Sequence, residues 1–147
     1  MSNIQYHGDG RTTQSCIDAV QRILQFGGYI SLARLLTCKN RHAFFLTIDE
    51  YQNIIIQAGF ASGYGGEAPK GLARVIQLIR FHGVKLEEID VPQKVFRRID
   101  CCKLRDKDLK QIEETPFKRP VSLYDYVLEV GELADTDLMS YYKCAIP

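Results

Sequence analysis

Apolar residues in this chain recur with two periods, and the change from one to the other divides it into elements. Cys16, Ile17, Val20, Ile23 and Leu24 repeat at helical spacing behind Thr12 or Thr13 as a cap, and Gly27-Gly28 supplies a stop. In residues 29–38, Ile30, Leu32, Leu35 and Leu36 fit either period, and we read the segment as a strand. Residues 43–48 carry Phe44, Phe45, Leu46 and Ile48 and predict a second strand. Asp49-Glu50 makes a tight polar connection to residues 51–60, where the unbroken Ile54-Ile55-Ile56 predicts a strand covered on both faces. The two segments form a predicted hairpin in the middle of a sheet.

A loop over 61–68 leads to Pro69, which suits a first helical turn because it lacks an amide proton. Leu72, Val75, Ile76, Leu78 and Ile79 then form one apolar stripe, closed by Gly83 after His82. Residues 84–91 predict a strand, which makes a strand-loop-helix-strand unit with a crossover. Short helices follow at 93–99 and 106–114, and Ser122 caps a helix through Leu123, Tyr126, Val127 and Val130, with a last helical turn in 136–144. With no repeat and no dividing linker, residues 1–147 are expected to form one α+β domain, a small mixed sheet flanked by helices.

Composition narrows the function. A chain of 147 residues with 46% hydrophobic and 25% charged residues can bury a core without staples. No apolar run approaches the ~18 residues of a membrane span, and Asn3, Gln5, His7 and Asp9 fall where a secretory segment would need an apolar stretch, so a cytoplasmic protein is expected. The five cysteines (Cys16, Cys38, Cys101, Cys102, Cys144) form an odd set without CxxC and read as reduced, structural thiols. Cys101-Cys102 lies among Arg97, Arg98, Lys103 and Arg105, a setting that lowers a thiol pKa, yet no histidine is near in sequence. His7, His42 and His82 lack metal-ligand spacing; no metal and no cofactor is expected.

The net charge of +1 gives no steering towards nucleic acid, and the basic run from Lys94 to Lys110 is interrupted by acids and holds one aromatic residue, Phe96. Nucleic acid is therefore disfavoured as a partner. The charge is nevertheless polarised: residues 1–120 hold 18 Lys and Arg against 13 Asp and Glu, whereas 121–147 hold one Lys against five acids. That acidic end also carries Tyr124, Tyr126, Tyr141 and Tyr142, a composition suited to an interface with a basic partner.

The loop is the most unusual stretch. Gly63, Tyr64, Gly65, Gly66 and Lys70 together form a candidate ligand site, since freed backbone amides, a helix N-terminus and a cation would all attract an anion. Gly63 to Ala68 fits G-x-G-x-x-A, with Glu87, Glu88 and Asp90 roughly 20 residues on, but the preceding strand is not the first of the fold and Pro69 follows the motif at once. No Gly-Lys-Ser/Thr of a P-loop is present, and Glu67 adds negative charge beside any anion. A bend that lets strand and helix pack closely competes with the ligand reading.

Residues 59–72, the apolar helix behind them and Val84-Lys85-Leu86-Glu87-Glu88-Ile89 resemble small bacterial immunity proteins of polymorphic toxin systems, over the middle third of the chain. The resemblance implies a non-enzymatic cytoplasmic protein that binds a cognate toxin domain and occludes its active site. Against a basic nuclease toxin the acidic end would be the surface, with Tyr124, Asp125, Glu129 and Asp135 as partner-binding residues. The alternative is a small-ligand or nucleotide-binding regulatory domain using the loop at 59–71.

Overall fold

The computed structural model describes residues 4–116, 119–121 and 126. A six-stranded mixed sheet forms its middle layer, in the order β1-β4-β3-β2-β5-β6. Along the chain the elements are β1 (Ile4–His7), α1 (Thr13–Phe26), β2 (Ile30–Cys38), β3 (Arg41–Ile48), β4 (Gln52–Ala61), α2 (Glu67–Phe81), β5 (Glu87–Asp90), α3 (Gln93–Asp100), α4 (Asp106–Glu114) and β6 (Arg119–Pro120). This is the expected α+β arrangement, with the β3–β4 hairpin inside the sheet. The predicted helices in 122–130 and 136–144 lie outside the described residues, apart from Tyr126.

β1, β4, β2 and β5 run one way, β3 and β6 the other. Both β1-α1-β2 and β4-α2-β5 are therefore crossovers between parallel strands. Strand alternation sorts the side chains: Leu35, Phe44, Leu46, Ile54 and Ile56 point to the face covered by α1 and α2, while Leu36, Phe45, Ile55 and Ile89 point to the face covered by α3 and α4. Such a two-sided burial explains why β3 and β4 read as nearly continuous apolar runs.

Two expectations need correction. The four-residue β1 was missed, because only Ile4 and Tyr6 pack inwards, and a strand of this length carries too little alternation to stand out from a polar terminus. The strand expected over 84–91 shrinks to Glu87–Asp90, since only those residues meet β2 in register. In addition, α2 starts at Glu67, so Pro69 is its third residue; its missing amide still falls among those that have no helical partner.

The contact that sets the layer spacing is made by the first turn of α1. Opposite the step from Phe44 to His42 on β3, β4 carries the longer stretch from Ile56 to Phe60, a bulge that holds Gly59. Thr13 Oγ1 donates to the Gly59 carbonyl at 2.7 Å, and a Cβ at Gly59 would lie 2.8 Å from Cys16 Sγ. On the other side of α1, a Cβ at Gly71 of α2 would lie 2.3 Å from Thr13 Cγ2. Bare backbone at these two positions lets helix, sheet and second helix meet.

On the opposite face, the α3–α4 pair is locked by Asp108. Burial alone would raise its pKa, but Arg98, at 2.6 Å from each carboxylate oxygen, and the Arg105 amide hold it down to about 2. Arg34, buried beneath α4, donates to the carbonyls of Ile112 and Thr115 and so satisfies the end of that helix.

Gly71→Ala should therefore destabilise the chain despite alanine's better helix propensity. Thr13 cannot yield without giving up its bond to Gly59, and the expected net loss is about 1–3 kcal/mol, read as a lower midpoint in urea unfolding. An unchanged or higher midpoint would show that α1 and α2 are not in contact there.

Candidate functional site

The loop singled out by the sequence is short and open. Gly63, Tyr64, Gly65 and Lys70 are exposed and Gly66 is half-buried at the N-cap of α2. Nothing lies within 4 Å of a Cβ built at Gly63 or Gly65, whereas one at Gly66 would lie 3.1 Å from the Tyr64 ring. These residues sit together, but they line neither of the two cavities described below. Of the acids that would complete a dinucleotide fingerprint, Glu88 is wholly buried and Glu87 faces Arg34 at 3.8 Å, so neither points to the loop.

At the head of the loop, Ser62 begins a polar chain that the sequence did not reveal. Ser62 Oγ lies 2.7 Å from His42 Nε2, and His42 Nδ1 lies 3.0 Å from Thr37 Oγ1. Thr37 Oγ1 donates to Glu88 Oε2 at 2.7 Å, and the Tyr126 hydroxyl donates to the same oxygen at 2.6 Å. The His42 and Tyr126 rings meet edge to face at 5.3 Å. Strand register explains the meeting: Thr37 and His42 are directly opposed on β2 and β3, and Glu88 lies one strand away on β5. All three side chains point to the α1/α2 face, by the alternation that places Leu35, Phe44 and Leu86 there.

His42, Glu88, Thr37 and Tyr126 are all buried. Desolvation pushes the His42 pKa down from 6.5 to about 4, so the ring is neutral at pH 7. Such a ring is a poor general base, and Thr37 separates it from the carboxylate. The geometry holds protons in place and is not arranged to move them to a substrate.

The larger cavities lie elsewhere. One of roughly 610 Å³ is lined by Asp9, Arg11, Arg41, Gln57, Asp100 and Cys102, among others. Its charges are internally paired, Arg11 with Asp9 and Arg41 with Asp100. Cys102 follows α3 with φ 56°, and its sulfur accepts from Gln57 Nε2 at 3.2 Å. Cys16, Cys38, Cys101 and Cys102 are all free thiols, and among the described residues no group of three or more His, Cys, Asp and Glu is placed to hold a metal. Of these pairs, Arg41–Asp100 ties β3 to the end of α3, and Arg11–Asp9 closes within the β1–α1 loop.

A second cavity, of roughly 390 Å³, opens at the other end of the molecule between Gly28–Ala33 and His82–Lys85. Both α1 and α2 run back towards this end, where β2 begins and the β3–β4 turn lies. Four large apolar side chains are exposed here: Phe26 (74%), Tyr29 (70%), Tyr51 (82%) and Phe81 (51%). Asp49 and Glu50, which present Tyr51, both have left-handed backbones at φ 51° and 67°. That conformation costs a non-glycine residue about 1 kcal/mol or more. It is held by Tyr29, whose amide donates to Asp49 Oδ1 at 3.1 Å and whose carbonyl accepts from the Asp49 amide at 2.8 Å. Sequence reading named Asp49-Glu50 only as a turn; that the four rings fall at one end of the sheet depends on crossover topology.

Of the partner-binding residues expected at the acidic end, Tyr124, Asp125, Glu129 and Asp135 lie outside the described residues. Among the described residues, no helix is long and apolar enough to cross a membrane. No family model matches the chain, and no curated protein matches its sequence. Its fold is similar to that of a chain of respiratory complex I from Thermus thermophilus, with a TM-score of 0.63 and 17% identity over 82% of this chain and 98% of that one.

The buried histidine makes stability depend on pH. Between about 6.5 and 4 the unfolded chain binds a proton that the folded chain does not, so stability is complete above pH 6.5 and falls as the pH drops towards 4. Urea unfolding at pH 4.5 and 7.5 should show about 2–3 kcal/mol more acid loss in the native chain than in His42→Gln. Equal pH dependence in the two would place the native ring in water.

Proposed function

We propose that this chain is a non-enzymatic protein-binding module, an inhibitor of the immunity type that docks on a toxin domain and blocks it. The observation that carries the reading is the gathering of Phe26, Tyr29, Tyr51 and Phe81 at one end of the sheet. Soluble surfaces scatter large apolar side chains singly; a cluster beside a cavity is the usual form of an interface centre. The strained Asp49-Glu50 turn presents Tyr51 in a fixed position, which lowers the ordering cost of association.

The occupant is a basic protein. Asp49 and Glu50 place two exposed carboxylates next to Tyr51, while Lys85 lines the cavity, so the acidic character belongs to the hairpin tip. Residues 121–147 add further negative charge to the chain, and Asp125, Glu129 and Asp135 extend the proposal to that end.

Growth rescue tests this directly: the toxin-type domain encoded beside this gene is expressed with and without the chain. Relief of growth arrest by the native chain is expected. Tyr51→Ala and Tyr29→Ala should each weaken binding of the purified toxin domain by roughly ten-fold or more while shifting folding stability by less than about 0.5 kcal/mol. The reading fails if no toxin-type frame adjoins the gene, or if rescue and affinity ignore these substitutions.

A further inference from the structure

Cys101 and Cys102 are adjacent, exposed and free, but the fold gives them different surroundings. Cys102 takes the left-handed position behind α3, at φ 56°, with its amide donating to the Ile99 carbonyl at 3.0 Å. Of the two thiols only Cys102 lines the cavity of roughly 610 Å³, together with Asp9, Arg11, Arg41, Asp100 and Gln57. We propose that this cavity is a modification site: it takes a zwitterionic α-amino-acid disulfide, and Cys102 keeps one half of it as a mixed disulfide. The inference goes beyond the partner-binding reading and concerns the end of the molecule away from the four rings.

Gln57 supplies the observation that points to a ligand. The residue is 4% exposed, and its Nε2 donates to the Ile99 carbonyl at 3.0 Å and to Cys102 Sγ at 3.2 Å, which uses both amide protons and orients the sulfur. The Ile99 carbonyl also fixes which end of the amide is nitrogen. Among the described residues nothing donates to Gln57 Oε1, so a buried amide oxygen stands without a partner in the wall of the cavity that holds the thiol. An acceptor so placed calls for a donor from the occupant, and an ammonium makes the stronger, charge-assisted bond.

The rim supplies the rest. Arg11 pairs with Asp9 and Arg41 with Asp100, yet each guanidinium uses only part of its fork of donors on its aspartate, and each carboxylate keeps acceptor positions. Two cations and two anions cancel, so the cavity favours neither a plain anion nor a plain cation and matches a molecule that carries both signs close together. An α-amino acid does so: its carboxylate meets a guanidinium while its ammonium meets Gln57 Oε1. Thiol–disulfide exchange then completes the step. Cys102 loses its proton to water and Sγ attacks one sulfur of the disulfide; the new S–S bond forms as the old one breaks. The other half leaves as a thiolate and takes up a proton. Cys102 is oxidised and the disulfide is reduced, so no further oxidant enters, and a free thiol reverses the adduct.

Rates of mixed-disulfide formation on the full chain, read by mass spectrometry at Cys102 and Cys101 separately, test the idea with four symmetrical disulfides. Cystine is the zwitterion, cystamine the cation, dithiodiglycolate the anion and bis(2-hydroxyethyl) disulfide the uncharged reference. Differences in leaving group cancel in the ratio of the two sites, because Cys101 meets the same reagents outside the cavity. The Cys102-to-Cys101 ratio should be about ten-fold higher with cystine than with the uncharged disulfide, the effect of one hydrogen bond to a charged group, and higher than with either singly charged reagent. Arg11→Gln, at a side chain 90% exposed and so without consequence for folding, should cut the cystine preference by about three-fold. Gln57→Met should cut it as well; if that variant does not fold, native protein and Arg11→Gln still decide. A ratio equal across the four disulfides, a maximum with cystamine or dithiodiglycolate, Cys102 left unmodified by cystine, or a native preference in Arg11→Gln would each overturn the proposal.

Discussion

The close approach of α1 to both β4 and α2 is the constraint on which the arrangement depends. Thr13 reaches the Gly59 carbonyl inside the β4 bulge while its methyl faces bare backbone at Gly71. Two glycines and one threonine thereby set the distance between the sheet and its first helical layer. This contact fixes where α2 can start, and hence how short the connection at 62–66 must be. The glycines of that loop follow from the same requirement, since a strand that bulges against one helix must turn sharply into the next.

With this layer in place, the sheet can hold a polar line in an otherwise apolar interior. His42, Thr37 and Glu88 share a face with Leu35, Phe44 and Leu46, and burying them unsatisfied would cost several kcal/mol. Mutual hydrogen bonding offsets that cost, and it makes the line cooperative: each group is satisfied only if its neighbours point the right way. The other buried polar groups do a simpler task. Asp108 and Arg34 tie α3 and α4 to one another and to the sheet, and their bonds end in main-chain groups or in a direct ion pair.

The same topology that buries the polar line exposes the rings. Because α1 and α2 both return to the end where β2 starts, Phe26 and Phe81 lie at the same end of the sheet as Tyr29 and the Asp49–Tyr51 turn. One end of the molecule thus carries apolar area on a braced, strained hairpin, and the other carries the glycine loop and Ser62.

Local pattern alone was enough for α1, α2, α3, α4 and the β2-β3-β4 run, because periodicity and Gly or Pro punctuation are properties of neighbouring residues. It also identified the loop at 62–66 as unusual. It could not find β1, whose four residues become a strand only by pairing with Ile54–Ile56, nor the true length of β5, which β2 limits. His42 looked isolated because Thr37 reaches it across strands, with Glu88 behind, and Phe26 and Phe81 looked like ordinary helix ends because their placement at one end of the sheet depends on two crossovers. Elements arise from interactions within a few residues and are legible there; sites arise from strand order and register, which only the folded chain decides.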